Sequence, residues 1–154
     1  MSSIIKNAGR YSPLGLLIAV ILVTAGIAVC SAAESSDSSS DVEKVEVYHF
    51  HLTRQCYSCI RLGELAEETV EKFFAEELAS GKVVFGHVTV DDPADADIVR
   101  KYKASGSSLM IGVYTPSGFS AEEDIKVWYK IGKPEEYESY LKDLIEKRLS
   151  GSMN

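Results

Sequence analysis

The chain has 154 residues, of which 23 are acidic and 16 are basic, giving a formal net charge of −7. The length suits one domain with appended segments, and the acidic balance argues against a protein that binds nucleic acid by neutralising phosphates. The three cysteines exclude a small scaffold held by several disulfides, because such a framework needs an even set at spread spacings.

An apolar block near the start predicts a membrane-spanning helix. Residues 1–13 are polar with two basic side chains, and residues 14–33 are almost entirely apolar. About 20 such residues span a bilayer, and the basic flank predicts a cytoplasmic N-terminus with the remainder exported. The alternative is a signal peptide cleaved at the small residues 31–33, but the length of the block favours an uncleaved signal anchor. We therefore expect a single-pass membrane protein with an extracytoplasmic C-terminal domain.

The segment that follows the block predicts a linker and then a domain. Residues 34–42 are rich in Ser and Asp, which predicts a flexible linker. Residues 43–150 are enough for one compact domain.

Hydrophobic periodicity within residues 43–150 predicts elements in the order β-α-β-α-β-β-α. The predicted strands and helices cover 44–51, 57–79, 82–90, 93–103, 108–114, 124–130 and 134–150, in that chain order. The first three suit a parallel crossover unit, and the strands on either side of the turn at Pro116 suit an antiparallel hairpin. The prediction is an α/β fold with a mixed sheet flanked by helices.

Cys56 and Cys59 stand between the first predicted strand and the first predicted helix. A helix N-terminus presents unpaired N–H groups and a partial positive charge, so a thiolate at Cys56 is stabilised and reacts near neutral pH. Cys59, one helical turn further along, lies within reach of a disulfide. The spacing predicts a redox pair in which Cys56 is the nucleophile and Cys59 the resolving thiol.

Three neighbours of the pair are candidate supporting residues. Arg54 would add positive charge beside the thiolate, Thr53 would cap the helix or its loop, and His51 would exchange protons near neutral pH. The predicted partner is a protein that offers a thiol or a disulfide, and this protein can itself be membrane-bound. The predicted redox centre is the Cys56–Cys59 disulfide, without a further cofactor.

The residues alone leave three alternatives open for the pair. A C-x-x-C is half of a zinc site, so Cys56, Cys59 and His51 are an alternative metal set. A static disulfide gains little stability from so short a loop, and an inert interaction domain could keep the same fold. The other two histidines, His49 and His87, fall on the same face of their predicted strands as the apolar residues. This alternation predicts ordinary buried core positions for both.

The element order and the position of the C-x-x-C resemble the thioredoxin superfamily over residues 43–150. The segments HFHLTRQCYSC (49–59) and VTVDDPADADIVRKY (88–102) are most similar to a narrower group. These are the small thioredoxin-like proteins of methanogenic archaea labelled nitrophenyl compound nitroreductase subunit ArsF. The resemblance implies a thioredoxin-like fold and a redox accessory role, although the chain carries no flavin- or nucleotide-binding motif.

The same resemblance gives two further expectations. Gln55 replaces the Trp that usually precedes the first cysteine, and Ser108 stands where thioredoxins carry a cis-proline that shapes the substrate groove. Ser108 is therefore expected to line that groove. Because the proline also discourages metal binding in thioredoxins, its absence favours the metal alternative. The predicted function is a membrane-anchored, extracytoplasmic thiol–disulfide oxidoreductase or electron carrier.

Overall fold

The computed structural model describes residues 42–152 of the chain. The predicted anchor at 14–33 and almost all of the predicted linker lie outside the described residues, so the membrane location stays a prediction. Within residues 42–152, no helix is long and apolar enough to cross a membrane. Val42, the predicted last residue of the linker, is buried in the core, so the folded part begins earlier than residue 43.

Four strands and four α-helices make up the described part of the chain. The strands are β1 Lys44–His51, β2 Val83–Thr89, β3 Ser108–Thr115 and β4 Gly118–Glu123. The helices are α1 Tyr57–Phe73, α2 Ala75–Ser80, α3 Ala96–Tyr102 and α4 Pro134–Leu149, with short 3₁₀ turns at Pro93–Asp95 and Lys126–Lys130. The predicted order of strands and helices is confirmed, apart from the two differences described below.

The strands form one mixed sheet in the order β2-β1-β3-β4. β1 and β2 are parallel, as the crossover through α1 requires, while β3 runs antiparallel to both β1 and β4. The predicted mixed α/β sheet with flanking helices is therefore present in the described residues. Its topology and the position of the C-x-x-C after β1 are those that the thioredoxin-like prediction requires.

The two faces of the sheet bury different clusters. Alternation along β1 places Val45 and Val47 on one face, where they join the larger core with side chains of α1 and α4. Phe50 points to the opposite face and packs with Tyr102 of α3 and Met110 of β3. α1 therefore lies on the face that carries the larger core, and a five-residue loop, residues 52–56, joins the end of β1 to its first turn.

The predicted helix 57–79 is divided in two by Phe74. Phe74 has φ −128° and ψ 30°, outside the helical region, and its side chain is buried in the larger core. Turning this ring inward interrupts the helix, and α2 then runs until Gly81 ends it in the left-handed conformation at φ 75°. Periodicity alone could not reveal this break, because Phe74 and its neighbours are all compatible with a helix.

The predicted strand at 124–130 is wrong. The fourth strand is Gly118–Glu123, and Lys126–Lys130 forms a 3₁₀ turn. Asp124 stops the strand because its Oδ1 accepts a hydrogen bond from the Val127 N–H at 3.0 Å, which turns the backbone. Only Val127 of this segment is fully buried, whereas Tyr129, predicted on the same face, is 83% exposed.

Candidate functional site

The sulfur of Cys56 caps the start of α1. Cys56 has extended backbone angles, φ −82° and ψ 163°, and its Sγ accepts a hydrogen bond from the Cys59 N–H at 3.2 Å. The Cys56 carbonyl accepts from the Ile60 N–H at 3.0 Å and closes the first helical turn. Cys56 is therefore the N-cap residue, and its sulfur lies where the unpaired N–H groups of the helix favour negative charge.

Cys56 and Cys59 form a disulfide with their Cα atoms 5.1 Å apart. Cys56 is exposed, whereas Cys59 is only partly exposed. Cys56 is therefore the more accessible of the two cysteines, and Cys59 lies within the first turn of α1.

Thr53 fixes the loop that precedes the cysteines and leaves the cap of α1 to Cys56. Its backbone N–H and its Oγ1 donate to Asp91 Oδ1 at 2.7 and 3.1 Å. Asp91 follows β2, so these bonds join the two loops at the end of the parallel pair. The backbone hydrogen bond from Thr53 holds the pKa of Asp91 below its ordinary value.

The structure leaves the other supporting residues less closely tied to the pair. Arg54 is exposed, and His51 is partly exposed with its Nδ1 at 3.0 Å from the Leu52 carbonyl oxygen. Ser108 begins β3 beside Phe50 and is buried, with its Oγ at 3.4 Å from the Gly106 carbonyl oxygen. Their predicted contributions to thiol chemistry and to a substrate groove stay predictions.

Three exposed apolar side chains flank the disulfide along the chain. Tyr57 is 82% exposed, and Leu52 and Ile60 are also exposed. They belong to the loop before the pair and to the first turn of α1. Sequence reasoning missed them, because an apolar residue in a loop or at a helix start carries no sign of whether it will be covered.

All three histidines of the chain lie together. One ring nitrogen from each of His49, His51 and His87 falls within 4.8 Å of the others. The parallel register opposes His49 to His87, and His51 follows two residues later on the same face of β1. The Nδ1 atoms of His49 and His87 are 2.9 Å apart.

The predictions for His49 and His87 need correction. His49 is buried as expected, at 1% exposure, but its Nε2 has no hydrogen-bond partner. His87 is exposed, because β2 is an edge strand and the helices leave this position uncovered. Burial lowers the pKa of His49 to about 4, with His87 and His51 acting in the same direction and the Cys59 backbone opposing them. His49 is therefore neutral at neutral pH.

The histidine cluster lies against α1. A Cβ atom added to Gly63 of α1 would overlap the His49 ring, and the backbone of Cys59 also acts on that ring. Among residues 42–152, these histidines are the one group of three or more possible ligands that could share a metal ion. Cys56 and Cys59 are joined to each other here, so the set of Cys56, Cys59 and His51 stays a prediction for the reduced protein.

No protein-family model matches the chain, and no curated protein matches it. The solved structure of the first two thioredoxin domains of Saccharomyces cerevisiae Eps1p is similar to it, at 23% sequence identity and a TM-score of 0.38. The match covers 54% of this chain and 29% of that one, so the chain spans less than a third of the protein it matches. The description of the fold therefore rests on the sheet topology, and the resemblance to the nitroreductase subunit family stays a prediction.

Proposed function

We propose that this chain is a thiol–disulfide oxidoreductase or electron carrier that works through Cys56 and Cys59. The observation that carries the proposal is the exposed Cys56 sulfur at the N-cap of α1, bonded to Cys59. Helix N-termini lower the pKa of a thiol, so the reduced pair would present a thiolate at neutral pH.

The reaction exchanges two electrons between the pair and a partner. The Cys56 thiolate attacks one sulfur of a partner disulfide and forms a mixed disulfide, and the other partner sulfur leaves as a thiolate. Cys59 then loses its proton and attacks the Cys56 sulfur, which releases the second partner thiolate. The product is the Cys56–Cys59 disulfide, and the same steps in reverse oxidise a partner dithiol.

The surroundings of the pair favour a protein as the partner. Leu52, Tyr57 and Ile60 offer exposed apolar area next to Cys56 along the chain, and aromatic side chains contribute strongly to protein interfaces. Residues 14–33 would hold this surface at the outer side of a membrane, and Arg54 and His51 would tune the thiolate. Ser108 would line the groove in which the partner chain lies.

Substitution of each cysteine tests the proposal. We expect Cys56→Ser to abolish reduction of a disulfide substrate, because the attacking sulfur is gone. Cys59→Ser should accumulate a mixed disulfide through Cys56, visible as a shifted band on a non-reducing gel. Cys30→Ser is the matched control and should keep full turnover. Full activity of the Cys56→Ser protein would contradict the proposal.

The reduction potential of the pair decides the direction of electron flow. The measurement equilibrates the full chain with glutathione or dithiothreitol buffers and counts free thiols at positions 56 and 59. A value below about −250 mV identifies a reductant of partner disulfides, and a value above about −150 mV identifies an oxidant of partner thiols.

A further inference from the structure

A buried ring nitrogen without a partner marks the histidine cluster as unusual. Most buried polar atoms are hydrogen-bonded, and an exception calls for a water, an ion or a chemical role. The His49 ring turns its Nδ1 toward His87 Nδ1 at 2.9 Å, while its Nε2 makes no close hydrogen bond at a position that is 1% exposed. The Cys59 backbone acts on the same ring, so Nδ1 is the atom that His49 can offer to an ion shared with His87.

The other two histidines each direct one nitrogen away from the cluster. His51 can donate its Nδ1–H to the Leu52 carbonyl at 3.0 Å, and His87 can donate its Nε2–H to Glu67 Oε2 at 3.5 Å. In that arrangement His51 Nε2 and His87 Nδ1 carry lone pairs, and the second of these atoms faces His49 Nδ1. Metal-binding histidines show this same pattern, in which one nitrogen ligates and the other donates to a carbonyl or a carboxylate.

The spacing of the rings suits a small metal ion. Metal–nitrogen distances of about 2.0–2.1 Å place two ligands of a tetrahedral site about 3.3 Å apart. The Nδ1 atoms of His49 and His87 face each other at 2.9 Å and are the ligand atoms that this spacing favours, and all three rings offer a nitrogen within 4.8 Å of the others. Small side-chain rotations of the two more exposed rings therefore close the site.

We propose that His49, His51 and His87 together bind one divalent transition-metal ion of the class that prefers imidazole, such as Zn²⁺, on the face of the sheet beside the redox helix. Three neutral imidazoles suit Zn²⁺, Cu²⁺ or Ni²⁺ and do not suit Mg²⁺ or Ca²⁺, which prefer oxygen. The fourth position is open to water, because His51 and His87 reach the surface.

A carboxylate beside His87 supports this assignment. Glu67 then acts as the outer partner that orients His87.

The test uses the full chain with the Cys56–Cys59 disulfide intact and Cys30 alkylated, so that no thiol can bind metal. Titration with Zn²⁺ in a calorimeter should show one ion per chain.

Three variants test the ligands and their outer partner. His51→Asn and His87→Asn change exposed or partly exposed residues and should each weaken Zn²⁺ binding by more than about tenfold. Glu67→Gln should weaken Zn²⁺ binding by about tenfold or less. Circular dichroism checks that each variant is folded, and Glu71→Gln, exposed on α1, is the matched control with unchanged affinity.

Two results would overturn the inference. The first is that the oxidised, alkylated chain binds no stoichiometric Zn²⁺. This includes the case in which Zn²⁺ binds only after the disulfide is reduced and the Cys56→Ser protein does not bind it. The other is binding that both histidine variants retain at full affinity. Neither result depends on turnover by the cysteine pair, so the metal site and the redox function are tested separately.

Discussion

Gly63 allows α1 to lie directly on the buried His49. A Cβ atom at position 63 would overlap the His49 ring, which sits between the helix and β1. The close approach brings the turn that carries Cys59 near the histidine cluster. The absence of a side chain at Gly63 therefore lets α1 pack directly against the histidine cluster.

The change Gly63→Ala tests this contact. In an ordinary helix interior, Gly→Ala stabilises a protein by roughly 0.5–1 kcal/mol. Here we expect the opposite sign, a loss of about 1–3 kcal/mol in the free energy of unfolding, because the new methyl group must displace the His49 ring or the helix. Urea denaturation at pH 7 measures the difference.

A matched glycine controls for the general effect of adding a methyl group. Gly132 has open space around a hypothetical Cβ and no positive φ. Gly132→Ala should leave the free energy of unfolding nearly unchanged or slightly increased. A stabilised Gly63→Ala protein would show that α1 does not rest on His49.

The elements that could be predicted from the sequence are those with a strong local pattern. β1 alternates cleanly and α4 shows apolar residues at helical spacing, so both were predicted within about two residues. β4 was missed because it is an edge strand whose residues are mostly exposed, and its pattern GFSAEE resembles a loop. The segment after it alternates like a strand, but the Asp124 side chain turns the backbone there.

The candidate site also has one part that the sequence predicts and one part that it does not. Cys56 and Cys59 are three positions apart in sequence, and their placement at a helix start follows from the strand and helix on either side. The histidine cluster requires the register of β1 against β2, which pairs two residues separated by 38 positions. The alternation of side chains along β1 does place His49 and His51 on one face of the sheet. No local sequence pattern indicates that His87 of β2 lies beside them.

Asp124 holds the 3₁₀ turn and α4 together, which gives a prediction at the level of these elements. Its Oδ1 accepts from the Val127 N–H, and its Oδ2 accepts from the Tyr140 hydroxyl at 2.5 Å. We expect Asp124→Ala to lower the free energy of unfolding by about 1–2 kcal/mol, because two partly buried hydrogen bonds are lost. Tyr140→Phe removes only the hydrogen bond to Oδ2 and should lower the free energy of unfolding by less.

A double-mutant cycle separates the two bonds. The combined Asp124→Ala and Tyr140→Phe protein should be less destabilised than the sum of the single changes, because they share one hydrogen bond. Thermal or urea unfolding of the four proteins gives the coupling. Strict additivity would mean that Asp124 does not join the turn to α4.

At the scale of the whole molecule, the two faces of the sheet carry different chemistry. The Cys56–Cys59 disulfide and the histidines lie with α1 and the larger core. On the opposite face, buried Glu46 accepts hydrogen bonds from Lys44 Nζ at 2.6 Å, Tyr102 at 2.7 Å and Tyr114 at 2.9 Å, and Lys101 Nζ lies 3.3 Å away. This network joins β1, β3 and α3 through one carboxylate, so its charge affects the stability of the entire fold.

The ionisation of Glu46 sets an expectation for acid stability. Burial acts to raise its pKa, but the hydrogen bonds from Lys44, Tyr102 and Tyr114 outweigh it, and the net pKa is below the ordinary value of 4.5. The unfolded chain therefore takes up this proton first as pH falls. The stabilisation from Glu46 is fully present above about pH 4.5 and is lost as pH falls through the lower folded value.

Glu46→Gln removes this contribution. At pH 7 we expect the variant to lose about 1–3 kcal/mol in the free energy of unfolding, because Tyr102 and Tyr114 lose a charged acceptor. Urea denaturation from pH 7 to pH 3 should show the gap to the parent protein narrowing below about pH 4.5, by at most about 1.4 kcal/mol per pH unit. Glu71→Gln, exposed on α1, serves as the control and should leave a small gap that changes little with pH. A gap for Glu46→Gln that stays constant down to pH 3 would mean that the hydrogen bonds from Lys44, Tyr102 and Tyr114 do not favour the ionised form of the Glu46 carboxyl.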